Sequence, residues 1–168
     1  MTFRSAPLLA LALLLACEDS ATTSEPAPSA GAAEAAEAEQ EPDEPLSDDP
    51  LEAAIQKAAR TASPHMEPDG DFRRGRLDRG KHTDLMFVLK DPFCYAVFAQ
   101  GGPDVDDLDL FLFDPASVPV LQDSARDHHP RLGIQEPICP PAPDTYRLRV
   151  EMIRGHGEFA VRLYRSRP

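Results

Sequence analysis

The sequence predicts a mainly β protein with a single antiparallel β-sandwich, because apolar and polar residues alternate with a period of two in several short segments. Turn-forming glycines, prolines and aspartates separate these segments, and six to eight strands of this kind are typical of a sandwich. Residues 51–168 number 118, which is a common size for one domain and enough to bury a core. A short helix and an acidic tether are predicted to precede the sandwich.

The N-terminus has the layout of a secretory signal. One basic residue, Arg4, precedes an apolar run of ten residues from Pro7 to Ala16, and Cys17 follows. Ten residues are too few to span a bilayer as a helix. We therefore predict a signal peptide over residues 1–16.

The ending Leu14-Leu15-Ala16-Cys17 resembles the lipobox of bacterial lipoproteins. The resemblance implies that Cys17 is lipidated, with acyl chains such as palmitate, and becomes the first residue of the mature protein. It implies an exported protein anchored by lipid to the bacterial cell membrane or outer membrane, with either membrane still open. The alternative is an ordinary cleaved signal whose cut lies near a cysteine.

Residues 17–48 are predicted to be a disordered acidic tether. From residue 18 to residue 49 the chain has eleven Asp and Glu residues and no Lys, Arg or aromatic residue. High charge with low hydrophobicity cannot offset the conformational entropy of the chain. A solvated stalk is favoured over a specific partner site.

The net charge of −12 comes mostly from the tether, because residues 51–168 contain 18 acidic and 16 basic residues. A near-neutral domain lacks the clustered basic surface that nucleic-acid binding requires. We therefore expect no nucleic-acid partner.

A short helix is predicted over residues 49–63. Asp49 can accept from free backbone amides at its start, and Pro50 suits the first helical position. Ser63 precedes a proline, which disfavours helical backbone there. Leu51, Ala54, Ile55 and Ala58 form a weak apolar stripe, so the helix either leans on the domain or is semi-detached.

The sandwich is predicted over residues 69–168, because the pattern changes to a period of two after Asp69-Gly70 and gives a short strand from Arg74 to Gly80. Cys94–Ala99 is apolar on both faces and predicts a central strand, whereas Pro119 places Val118–Gln122 at a sheet edge. Gly155-His156-Gly157 predicts a turn. The alternating inward positions are Leu85, Phe87 and Leu89; Leu108, Leu110 and Leu112; Tyr146, Leu148, Val150 and Met152; and Phe159, Val161 and Leu163.

The order of these segments resembles the bacterial pre-peptidase C-terminal domain over about residues 71–164. Its core phrase is Asp107–Leu110 followed by Asp114-Pro115. The other matching segments are Gly75–Gly80, the strand of Tyr95, Leu121–Asp123, Tyr146–Val150 and Gly157–Val161.

The resemblance implies a jelly-roll-like sandwich, of a kind found on secreted proteases and in lipoproteins. The chain departs from the family at Pro143-Asp144-Thr145, where Ala-Gly is usual, and at Ala116-Ser117, where Gly is frequent. Any role as an accessory to an enzyme rests on analogy.

Cys94 and Cys139 are the cysteines that remain after Cys17. Export would place them in an oxidising compartment, where an even pair predicts a disulfide. Two buried free thiols or a metal-binding pair are the alternatives.

Aspartates are dense between residues 104 and 127, and oxygen ligands suit calcium. The alternation nevertheless places Asp107 and Asp109 on one exposed strand face, so a solvated face is favoured over a calcium site. The candidate calcium ligands are Asp107, Asp109, Asp114 and Asp123. His128 and His129 are interpreted as loop residues rather than zinc ligands, since adjacent side chains on an extended chain point opposite ways.

The sequence predicts no enzyme and no cofactor, because it contains none of the G-x-S-x-G, H-E-x-x-H or glycine-rich phosphate motifs. The predicted function is a binding module for a protein or polysaccharide at the cell envelope. Its contact surface would carry Phe111, Phe113 and Tyr164, although packing of these rings under a loop or the helix is favoured. The alternatives are an assembly subunit of an envelope complex and a calcium-dependent accessory domain of a secreted enzyme.

Overall fold

A computed structural model describes residues 44–166 as one helix and eight strands. The signal peptide, Cys17 and all but the last residues of the tether lie outside these described residues. The elements are α1 (Pro50–Ala62), β1 (Met66–Leu77), β2 (His82–Leu89), β3 (Tyr95–Gly101), β4 (Val105–Phe113), β5 (Pro119–Asp123), β6 (Arg131–Leu132), β7 (Asp144–Gly155) and β8 (Gly157–Ser166). Within residues 44–166 no helix is long and apolar enough to cross a bilayer.

The strands form two antiparallel sheets of four strands each, in the orders β1-β8-β3-β6 and β2-β7-β4-β5. The sheets pack face to face, which confirms the predicted sandwich. The inward positions given by the period-two pattern form its core, and Leu108, Leu148 and Phe159 are fully buried. The turn between β7 and β8 is confirmed at Gly155 and Gly157, whose φ values of 85° and 137° favour glycine.

Strand β8 is buried on both faces because the helix covers its outer side. Ala160 and Tyr164 point away from the sandwich core and pack with Ile55 and Ala59 of α1. The helix therefore leans on the domain and is not semi-detached. Its buried face is centred on Ile55, Gln56 and Ala59, so it is rotated from the predicted stripe. Asp49 caps its start as predicted and accepts from the Leu51 and Glu52 amides.

The residues that precede α1 are bound to the covered sheet through Glu44. Arg162, on the outer face of β8, donates to both Glu44 carboxylate oxygens at 2.8 and 3.2 Å and to the Gly70 carbonyl at 3.1 Å. Burial raises the pKa of Glu44, but hydrogen bonds from Arg162 and Gln56 and the charge of Arg162 outweigh it, so this pKa is lowered. The buried guanidinium is thus paired and also lies 4.4 Å from the centre of the Phe72 ring.

The first strand differs from its prediction. It begins at Met66 and runs through Asp69-Gly70 to Leu77, whereas the predicted strand began only at Arg74. The pairing register with β8 shifts between Asp69 and Arg73, and Gly70 adopts a φ of 81° there. Glycine at a bulge lets a strand bend and continue, so Gly70 marks an irregularity inside β1 and not its start. The two-residue strand β6 was not predicted, since so short a segment has no periodicity to read.

Cys94 and Cys139 lie with their sulfur atoms at bonding distance and their Cα atoms 4.2 Å apart. Cys94 precedes β3, and its amide and carbonyl hydrogen-bond to Ser166 at the end of β8. The neighbouring Ile138 exchanges backbone hydrogen bonds with Tyr95. The cysteine pair thus joins the loop before β7 to the start of the central strand.

We expect the double variant Cys94→Ser/Cys139→Ser to lower the free energy of unfolding by about 2–4 kcal/mol, because the bond closes a 45-residue separation in the unfolded chain. Urea denaturation with and without a reductant measures this change. The reductant should destabilise the parent chain and leave the double variant unchanged. Equal stability of the oxidised parent and the variant would show that the bond contributes nothing.

Candidate functional site

The two outer faces of the sandwich differ. The one helix of the described residues lies against β1, β8 and β3, whereas the outer face of β2-β7-β4-β5 has no helix over it. We call the apolar and basic part of this second surface the open face. Its residues are Asp84, Met86 and Val88 on β2, Phe111 and Phe113 on β4, and Arg147 and Arg149 on β7.

The strand register places these side chains in two rows. Met86 is opposite Arg147, which is opposite Phe113, and Asp84, Arg149 and Phe111 form the parallel row. Cross-strand neighbours on one face lie close enough for their side chains to interact. Met86 and Val88 are each 56 % exposed, which is high for large apolar side chains on a regular strand.

Charge and aromatic contacts hold the centre of the open face in place. Asp84 accepts from Arg149 at 2.9 and 3.2 Å and from Arg147 at 3.2 Å. The hydrogen bond from Arg149 is the main cause that holds the pKa of Asp84 below its ordinary value. The Arg147 guanidinium also lies 3.9 Å from the centre of the Phe113 ring, in a cation–π contact. Two guanidinium groups therefore share the Asp84 carboxylate, and the charge of Glu151 also acts on Arg149.

The three aromatic residues predicted to share a surface are divided between the two sheets. Phe111 and Phe113 are half-buried on the open face, but Tyr164 is buried beneath α1, with its ring 5.4 Å from that of Phe98. The predicted packing under a loop or the helix is therefore confirmed for Tyr164, whereas the two phenylalanines lie on the sheet that α1 does not cover. The period-two pattern predicts on which side of its strand each of the three aromatic rings lies. Whether that side is covered depends on where α1 packs.

The prediction of a solvated face for Asp107 and Asp109 is wrong. Their residues are only 5 % and 8 % exposed, although both lie on the outer side of β4. The loop after β5 reaches this part of the strand, where the Leu108 amide donates to the Asp127 carbonyl at 2.9 Å. Arg154 pairs with Asp107 at 3.1 Å. Long-range packing of a loop and an arginine thus buries positions that the strand pattern alone exposes.

The buried carboxylate of Asp109 lies near other acidic side chains. Burial is the main cause that raises its pKa to about 6, and the charges of Asp107 and Glu151 raise it further. Asp123 and Asp127 contribute in the same direction. No donor among residues 44–166 forms a hydrogen bond with its carboxylate. The ionised form of Asp109 is therefore destabilised in the folded protein.

The other two candidate calcium ligands are used by backbone turns. Asp114 accepts from the Val118 amide at 2.8 Å, and Asp123 accepts from the Ala125 and Arg131 amides at 3.0 and 2.7 Å. These are local bonds that shape turns. Within the described part of the chain, no three His, Cys, Asp or Glu side chains are grouped so that they could hold a metal ion.

The two adjacent histidines lie in the loop after β5 and are exposed. Nδ1 of His129 lies 3.5 Å from the Asp127 carboxylate, and the rings of His128 and His129 are 5.2 Å apart. The loop assignment made from the sequence agrees with this position.

Four residues of the open face were not predicted from the sequence to form a binding surface. They are Met86, Val88, Arg147 and Arg149. The signal was present, because Met86 and Val88 are apolar residues at the solvent-facing positions of an alternating strand. Such positions are normally polar, and two apolar residues in succession mark an exposed patch. The arginine network depends on register between β2, β7 and β4, which one strand's pattern does not specify.

No protein-family model matches the chain, and a search of curated proteins found none similar to it.

We expect Asp109→Asn to raise the free energy of unfolding by about 1–3 kcal/mol near pH 7, because it removes a charge that burial disfavours. The folded-state pKa is raised, so the parent chain loses stability as pH rises from 3.8 through about 6. The gain from the amide should therefore disappear below about pH 4, where the parent carboxyl is protonated in both states. Urea denaturation across this pH range measures it, with exposed Asp106→Asn as the matched control. A gain that persists at low pH would exclude this electrostatic origin.

Proposed function

We propose that this chain is a non-catalytic, lipid-anchored protein of the bacterial cell envelope, and that its open face binds a protein partner. The observation that carries the binding proposal is the difference between the two outer faces. One is covered by α1, and the other presents exposed Met86 and Val88 beside a fixed network of arginine and phenylalanine. Contiguous apolar surface of this kind is characteristic of interaction sites.

The anchor part of the proposal rests on Leu14-Leu15-Ala16-Cys17 and its resemblance to the lipobox. One acyl chain binds a membrane weakly, and two or more bind it stably. The acidic stretch between Cys17 and the domain supports a spacer role, since like charges extend a chain. It would hold the domain away from the membrane and leave the open face accessible.

A protein partner is favoured over a polysaccharide by the chemistry of the open face. Its most exposed side chains are aliphatic, and aliphatic groups contact other apolar side chains better than hydroxyl-rich sugars. Sugar binding commonly uses the free face of an aromatic ring, but the Arg147 guanidinium lies over Phe113 at 3.9 Å. Methionine, arginine and phenylalanine are enriched in protein interfaces.

The charges of the open face specify the partner further. Asp84 neutralises one of the two guanidinium groups beside it, at 2.9 Å from Arg149 and 3.2 Å from Arg147. These side chains remain between about a quarter and a third exposed, so a partner can reach them. We therefore expect an apolar partner surface whose polar groups complement the arginine pair.

We expect Cys17→Ala to abolish incorporation of a tagged fatty acid and to release the domain from membranes into the soluble fraction. Lipidation needs the cysteine sulfur, and the domain offers no other predicted anchor. Fractionation of cells that express each full chain measures both effects, with exposed Lys57→Ala as the control that keeps the anchor. A Cys17→Ala chain that still takes up the fatty acid would refute lipidation at this residue.

We expect a photo-crosslinking residue at Thr145, on the open face of central strand β7, to give one discrete protein adduct in intact native cells. The same probe at Lys57, on the helix, should not capture that protein. Phe113→Ala/Arg147→Ala should reduce the adduct at least fivefold, because it removes the ring and the cation of the central contact. Asp106→Ala, an exposed change elsewhere on β4, is the matched control.

The adduct's identity decides the proposal. A single protein, found by mass spectrometry at Thr145 and lost in the double variant, supports it. An adduct that glycosidases remove would replace the protein by a polysaccharide. An adduct unchanged in the double variant would show that the open face is not the binding surface.

A further inference from the structure

Each sheet has two edge strands, which are β1 and β6 in one sheet and β2 and β5 in the other. These four strands differ in how well they are protected against pairing with a strand of another molecule. Strand β6 has two residues, and β5 has five, begins with Pro119 and shifts register against β4. Strand β1 contains Pro68 and a register shift after Asp69. Short length, proline and bulges are the features by which proteins prevent edge-to-edge association.

Strand β2 has none of these features. It pairs with β7 over all eight residues from His82 to Leu89 without a register shift, and β7 is its one partner strand among residues 44–166. It contains no proline and no glycine. A regular strand of this length at a sheet edge is a template for another strand.

The backbone groups available at this edge can be identified from the ladder. The Met152 amide donates to the Lys81 carbonyl, and hydrogen-bonded pairs recur at every second residue of an antiparallel ladder. The odd-numbered residues of β2 therefore bond to β7. The amides and carbonyls of His82, Asp84, Met86 and Val88 point to the free edge, and their side chains lie on the solvent-facing side.

We propose that β2 pairs with β2 of a second copy of this chain, antiparallel about a two-fold axis at Phe87. In this register Met86 of each copy lies opposite Val88 of the other. Both exposed aliphatic residues then gain an apolar neighbour.

Neighbouring registers match less well. An axis at Met86 would place Asp84 opposite Val88, and an axis at Leu85 would place Asp84 opposite Met86. Each leaves a charge against an aliphatic side chain. The sequence of β2 is therefore self-complementary in the Phe87 register, which is why a second copy is the partner that this edge fits.

The pairing joins the two β2-β7-β4-β5 sheets into one eight-stranded sheet, because each copy contributes four strands. It also joins the two open faces side by side. The dimer uses the edge backbone of β2 with Met86 and Val88, and it leaves the arginine network of the open face free for the proposed envelope partner.

Cysteine crosslinking of the full chain in intact cells tests the pairing and its register. Met86→Cys and Val88→Cys chains with different tags are co-expressed, and mixed dimers are measured on non-reducing gels. The control pair is Met86→Cys with Val120→Cys. Val120 is 45 % exposed, but it lies on the short edge strand β5, which begins with proline. We expect at least tenfold more mixed dimer from the Met86→Cys and Val88→Cys pair than from this control pair. A mixed dimer no more abundant than this control, or a stronger Met86→Cys dimer with itself, would overturn the proposal.

A second measurement needs no added cysteine. The parent chain, extracted in mild detergent, should sediment with a protein mass twice that of one chain. Met86→Lys/Val88→Lys should return it to the mass of one chain, because four lysines would meet at the axis, whereas Val120→Lys should leave the doubled mass unchanged. A parent chain that sediments as a monomer at micromolar concentration would contradict the pairing.

Discussion

The burial of β8 on both faces is the packing constraint on which the rest of the domain depends. Its inward residues, such as Phe159, complete the sandwich core, and its outward residues, such as Tyr164, are apolar enough to need a second cover. The helix supplies that cover with Ile55 and Ala59. Because α1 is the one helix of the described residues and covers one sheet, the outer face of the opposite sheet is left without a helix around Arg147 and Phe113.

The two outer faces of the sandwich also differ in how their buried charged side chains are paired. On the covered side, Arg162 is buried with Glu44 as a bidentate partner, which offsets the cost of removing its charge from water. On the other side, Asp109 is buried without a hydrogen-bond donor among the described residues, and its pKa is raised to about 6. The first arrangement binds the segment before α1 to the domain. The second lowers stability at neutral pH, because burial disfavours the ionised carboxylate.

The asymmetry also separates the proposed tasks of the domain. Glu44, the first of the described residues, binds to the covered side through Arg162. The open face and the regular edge of β2 are left for contacts with other molecules. An arginine network on a stable sheet needs little ordering when a partner binds, which lowers the entropic cost of association. A second copy at the β2 edge would widen this surface without covering its centre.

Local pattern was sufficient to predict the sandwich, a helix between Asp49 and Ser63, and the inward side of most strands, because alternation and capping act between neighbours in the chain. It did not reveal that Gly70 lies within a bulged strand, or that Asp107 and Asp109 are buried. Those outcomes depend on the loop after β5, on Arg154 and on the pairing with β8, all distant in sequence. A strand's periodicity states which residues share a face, but the element that covers that face is decided only when the chain has folded.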